Sequence, residues 1–120
     1  MPDIAPSPAL LRFAQRQSRI AREVERRAEA RHFLAEPVVV QPVDSELNPL
    51  GSPQAGVTRD ISPSGIGLIV EERIEYDLAA ISLNVDGEGV LLLVEFRWRR
   101  PMEPFEYVGG RVLRELDHLP

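Results

Sequence analysis

Between residues 38 and 113 the chain is divided into six short apolar runs separated by turn signals, and this pattern limits the fold more than any other feature. The runs are 38–43, 56–62, 65–70, 80–85, 90–99 and 105–113. Alternation with period two is clear in three of them: Ile66, Leu68 and Val70 share one face, as do Ile81, Leu83 and Val85. In the fifth run, Val94, Phe96 and Trp98 are predicted on one face, with Glu95, Arg97 and Arg99 on the other. Ser62-Pro63-Ser64-Gly65 and Asp86-Gly87-Glu88-Gly89 read as tight turns, with Gly65 expected in a conformation costly to any residue with a Cβ. Segments 44–54, 71–77 and 101–104 read as loops, and Pro42 marks an edge or bend. Gly109-Gly110 predicts a bulge or a close backbone approach in the last run. Six strands at this spacing predict a mainly β chain, a small six-stranded antiparallel barrel. A length of 120 residues supports one such domain plus a further segment.

That further segment is N-terminal. Ser7-Pro8 is a strong helix start, with serine as N-cap and proline at the first helical position. Leu10, Phe13, Ala14, Ile20, Ala21, Val24 and Ala28 then fall on one helical face, and Arg12, Arg16, Arg19, Glu23 and Arg26 on the opposite one. The spacing predicts an amphipathic helix over 8–28. Its apolar stripe must bury against the barrel or against a second copy, the latter giving a homodimer through the N-terminal helix. Two units follow: residues 1–25 as tail and helix, and 26–120 as the barrel domain. The stripe is thin and alanine-rich, which disfavours membrane-surface binding. No apolar run approaches a membrane span and the N-terminus lacks a signal-peptide core, so a cytoplasmic protein is expected.

Several chemistries are disfavoured. There is no cysteine, and His32 and His118 are the only histidines, too few for a histidine-based metal centre or general acid–base work. No nucleophile elbow, P-loop or metal-ligand spacing appears, so no enzymatic activity and no cofactor is expected. Residues 1–31 carry seven arginines against four acids, a net of +3; the remainder carries seven arginines against fifteen acids, a net of −8. Every basic side chain is an arginine. An acidic body with a basic arm is unsuited to a nucleic acid polymer, which favours a basic face on the domain itself. It suits a small anionic ligand held where arm and body meet.

Two motifs focus that expectation. Arg27 and Arg31 form an R-x-x-x-R, preceded by Arg26, and on a helix they share one face with Glu23 placed to pair with Arg27. Downstream, Asp60 and Ser62 lie two residues apart on an extended strand, so a carboxylate and a hydroxyl leave the same face at the mouth of the Gly65 turn. In this order and with an intervening strand, R-x-x-x-R and D-x-S-x-x-G resemble the PilZ domain, the receptor module for the bacterial second messenger cyclic di-GMP. The resemblance spans roughly residues 26–116 and implies a six-stranded barrel. Tyr107-Val108-Gly109 matches the family's last strand loosely, and the usual C-terminal helix is missing from the pattern, a place the N-terminal helix is able to take. The resemblance implies that Arg27 and Arg31 bind phosphate and stack on guanine. It also implies that Asp60 and Ser62 hold guanine edges and that Gly65 lets the backbone come close. Arg26 is expected to add a stacking or phosphate contact. The implied output is a changed position of the N-terminal arm, presented to an unidentified protein partner. The alternative is a PilZ-like interaction module that binds no nucleotide.

Overall fold

The structure is a computed structural model that describes residues 4–24, 34–85 and 87–118. One helix, α1 (Pro8–Val24), precedes six strands: β1 (Pro37–Pro42), β2 (Gln54–Ile61), β3 (Gly65–Val70), β4 (Leu78–Val85), β5 (Glu88–Met102) and β6 (Phe105–Leu116). The strands close into an antiparallel barrel in the order β1-β2-β3-β6-β5-β4. This is the architecture expected from the alternating runs.

The interior follows from that alternation. Val38 and Val40, Ile66, Leu68 and Val70, Ala79, Ile81 and Leu83, Val94 and Phe96, and Val108 all point inward and are buried together. Fully burying a valine, leucine, isoleucine or phenylalanine side chain contributes roughly 1.5–3 kcal/mol, so the ten of these named here supply the driving force for closure. Ile74 joins this cluster from the acidic connection between β3 and β4. Arg99 holds that connection, donating from Nε to the Ile74 carbonyl (2.8 Å) and from Nη2 to the Tyr76 carbonyl (2.8 Å).

Turn chemistry closes the hairpins. Ser62 N–H donates to the Gly65 carbonyl at 2.9 Å, and Gly65 N–H reaches both the Ser62 carbonyl (3.4 Å) and Ser62 Oγ (3.1 Å). Gly87 takes φ 84° in the β4–β5 turn, a conformation suited to glycine. Gly65, by contrast, is not among the residues with positive φ, contrary to expectation. Space is what it supplies: a Cβ there would lie 3.2 Å from the Gly110 carbonyl oxygen.

Three further expectations are corrected. Trp98 does not share the inward face of Val94 and Phe96, because the β5–β6 register shifts between Phe96 and Trp98 and carries the indole to the outer wall. Pro101 and Met102 belong to β5, paired with Glu106 and Phe105. Proline is tolerated there because β4 pairs with β5 only as far as Glu95, leaving that flank of β5 without a ladder to supply. The last strand runs on to Leu116, three residues past its expected end.

α1 starts as expected, with Leu10 N–H donating to Ser7 Oγ (3.1 Å) and Ser7 Oγ–H donating to the Glu71 carboxylate. It lies along the outer wall, not over an end of the barrel. Leu10 and Ala14, both fully buried, pack against Val57, Ile69 and Tyr107, outward residues of β2, β3 and β6. Phe13 stacks obliquely on Phe105 at 5.1 Å. Of the two resting places expected for the stripe, the barrel therefore takes Leu10 and Ala14. The buried line continues at Ser18, which is 2 % exposed, whereas Ile20 is 46 % exposed. Ile20 is more than half a turn from Ser18, so it cannot share the line set by positions 10, 14 and 18. No helix among the described residues is long and apolar enough to cross a membrane.

Candidate ligand-binding site

The site begins with one extra residue. β2 pairs with β3 through Thr58↔Leu68 and then Asp60↔Gly67, so Arg59 is inserted into the ladder as a bulge. A bulge re-aims the side chains around it. Thr58 stays fully buried and becomes a fastening point for the incoming chain. Its hydroxyl donates to the Leu34 carbonyl, accepts from Glu36 N–H at 2.9 Å, and its own N–H donates to the Glu36 carbonyl at 2.9 Å. Arg59 fastens α1 instead: Ser18 Oγ–H donates to the Arg59 carbonyl at 3.1 Å.

Asp60 lies on the outer wall, only 9 % exposed. Tyr107 Oη–H donates to Asp60 Oδ1 at 3.0 Å, and Arg59 Nη1 donates to Tyr107 Oη at 2.8 Å. Arg59 Nη1 also sits 4.0 Å from the Asp60 carboxylate. The chain thus runs from guanidinium to phenol to carboxylate. Gly67, directly across the ladder from Asp60, leaves the room: a Cβ would come within 2.3 Å of Asp60 Oδ1 and 2.8 Å of Tyr107 Oη.

Aromatic and guanidinium groups extend the surface towards β5. The Arg59 guanidinium lies 4.9 Å from the Tyr107 ring centre, and Trp98 meets Tyr107 edge-on at 4.6 Å and 76°. Arg100 sits 4.9 Å over Trp98 and 5.9 Å from Tyr107. The indole covers Gly109, where a Cβ would lie 2.0 Å from the ring, so the close approach expected at Gly109-Gly110 is observed. Across β2, β3, β6 and β5 the row Asp60, Gly67, Gly109, Trp98 therefore sets two glycines side by side between the carboxylate and the indole, each making room for the neighbour beside it. Burial, reinforced by the Asp60 charge, raises the Tyr107 pKa above its ordinary value, while Arg59 pulls it down; the net direction keeps the phenol protonated at neutral pH.

The sequence-predicted residues are placed as follows. Asp60 stands at the centre of this network. Ser62 is half-buried, at the turn two residues on, its hydroxyl within the Gly65 hydrogen bonds. Gly65 faces the Gly110 carbonyl. Arg26, Arg27 and Arg31 lie outside the described residues, as does Ala28 of the expected helix. Arg59, Trp98, Arg100 and Gly67 were not singled out by sequence as site residues. Pairing Gly67 and Gly109 in one cross-strand row is the signal that would have found them. Among the described residues no group of three or more His, Asp or Glu is arranged to hold a metal ion.

No family model matches the chain, and no curated protein matches it. Among solved structures, that of the Bacillus subtilis inhibitor of motility (MotI/DgrA) is similar, with a TM-score of 0.58 at 13% identity. The match covers 78% of this chain and 46% of that one, so the chain spans about half the length of its structural neighbour. At this identity the likeness establishes a shared barrel fold.

Proposed function

We infer that the chain is a receptor for cyclic di-GMP of the PilZ kind, in which Arg27 and Arg31, assisted by Arg26, close over Asp60, Ser62 and Gly65. The observation that carries this reading is how the intervening chain is fastened. On one side Ser18 of α1 is tied to the Arg59 carbonyl; on the other Leu34 and Glu36 are tied to Thr58. Both ties fall on neighbouring residues of β2, next to Asp60. A nine-residue stretch extends to at most about 30 Å, so residues 25–33 have ample reach to the outer wall from both ends. The barrel fold shared with MotI/DgrA supports the reading at the level of architecture.

The chemistry suits the ligand. Guanidinium groups make paired hydrogen bonds to phosphate and to guanine O6 and N7, each worth roughly 1–3 kcal/mol of discrimination. Closing a chain segment over a ligand costs on the order of 2–5 kcal/mol, which leaves room for micromolar binding, about −8 kcal/mol. The exposed Trp98–Arg100 pair offers a further stacking surface beside Asp60. The output is a shift of the arm and of α1, which Ser18 connects to the site, presented to a protein partner.

Isothermal titration with cyclic di-GMP, followed in parallel by Trp98 fluorescence, tests the reading. Arg27→Ala and Arg31→Ala are each expected to weaken binding at least about tenfold with the barrel intact by circular dichroism. Unchanged affinity in both variants would remove the assignment. The burial of Asp60 and its engagement by Tyr107 favour a second reading, an interaction module that binds no nucleotide. Absence of heat and of fluorescence change in the wild-type titration selects it.

A further inference from the structure

The phenol of Tyr107 occupies an unusual position, because its proton has one direction to go. Arg59 carries only donors, so the Tyr107 oxygen must accept from it at 2.8 Å. The phenolic hydrogen is then committed to Asp60 Oδ1 at 3.0 Å. Nothing about this arrangement is loose. The ring is held edge-on by Trp98, a Cβ at position 67 would collide with both oxygens, and Ile69 and Leu10 pack in the same cluster as the ring.

We propose that Tyr107, oriented by Arg59, is a positioning residue that sets the site's selectivity for a guanine edge over an adenine edge. It does so by holding the Asp60 carboxylate as a fixed, acceptor-only group. The proposal rests on the cyclic di-GMP reading and adds to it a residue that touches no ligand. Guanine presents two donors, N1–H and the exocyclic N2–H, to an ionised carboxylate. Adenine presents an acceptor at N1, which an ionised carboxylate repels. A carboxylate that swings between orientations meets guanine's paired donors only part of the time; one that receives the Tyr107 hydrogen bond on Oδ1 is held in a single orientation towards them. The raised pKa of Tyr107 is consistent with a phenol that stays protonated to perform this task.

The test uses the full chain and two probes, cyclic di-GMP and cyclic di-AMP, titrated calorimetrically into wild type, Tyr107→Phe and, as a control, Tyr76→Phe at an exposed tyrosine. Tyr107→Phe keeps the ring packing and removes only the hydroxyl. The preference for the guanine ligand is expected to fall by about tenfold, through weaker guanine binding with adenine binding unchanged, while Tyr76→Phe keeps the wild-type preference. A variant that loses the same factor for both ligands, leaving their ratio unchanged, overturns the proposal and reduces Tyr107 to a packing role. Wild type that binds neither ligand overturns the receptor reading itself, a result separable from the first. Arg59→Met repeats the test without touching the ring. It is expected to lower the ratio in the same direction, and an unchanged ratio removes Arg59 from the account.

Discussion

The β4–β5 ladder and the β2–β3 ladder are built from the same alternation but end as different kinds of surface. From Leu78↔Glu95 to Val85↔Glu88 the first runs for eight consecutive pairs without a shift, and its outward positions hold no network of polar groups among the described residues. The second slips by one residue at Arg59, and the β5–β6 ladder beside it slips between Phe96 and Trp98. Those two slips turn Asp60 and Trp98 onto the outer wall, where the unshifted β3–β6 ladder already places Tyr107. An inserted residue leaves composition and mean hydropathy unchanged yet reverses the face of everything beyond it. Regular pairing here makes a core; irregular pairing makes a site.

Adding one methyl group to each wall is the strongest way to break this contrast. Gly67→Ala would drive a Cβ against Asp60 Oδ1 and Tyr107 Oη, and is expected to cost about 1–3 kcal/mol in urea denaturation. Gly89→Ala, in the regular hairpin with Asn84 Oδ1 at 4.0 Å as the nearest atom, is expected to stay within about 0.5 kcal/mol of wild type. Equal stabilities would show that the irregular wall is not tightly packed. A smaller effect sharpens the role of the bulge. Ser18→Ala removes the donor to the Arg59 carbonyl and is expected to cost about 1 kcal/mol, against no measurable change for the exposed Gln15→Ala. The smallest effect is read at alkaline pH. Tyr107 has a folded pKa above the ordinary value of 10.0, so its contribution to stability is complete below that pH and fades as pH rises through the folded value. In a Tyr76→Phe background Tyr107 is the remaining tyrosine, and the midpoint of its ultraviolet ionisation change is expected above pH 10.0. A midpoint at or below 10.0 contradicts the burial of the phenol.

Legibility from sequence tracked the same contrast. Where a strand carries no inserted residue of its own, as at Ile66-Leu68-Val70 and Ile81-Leu83, alternation placed every residue on its observed face. The helix start was legible because Ser7-Pro8 is local chemistry. Trp98 was placed on the wrong face because one slip in register has no local signature. Ile20 was placed in a stripe that the helix does not bury, because the packing line is chosen by the close approach that Ala14 and Ser18 permit. Asp60 was found through D-x-S-x-x-G, but its partner Tyr107 is 47 residues away, and only the strand order brings them together. Arg26, Arg27 and Arg31 rest on motif and order alone, being outside the described residues.

The way β5 outruns β4 has a consequence for how molecules of this chain meet one another. Past Phe96, whose N–H still donates to the Asp77 carbonyl at 2.7 Å, the flank is the place where a neighbour's backbone would zip on and begin an intermolecular sheet. Arg99 turns back across that flank to seal the adjoining connection, and Pro101 sets a missing amide against such growth, while Arg97 is held by Glu95 at 2.9 Å. A rim finished in this way is expected to resist edge-to-edge growth between crowded copies.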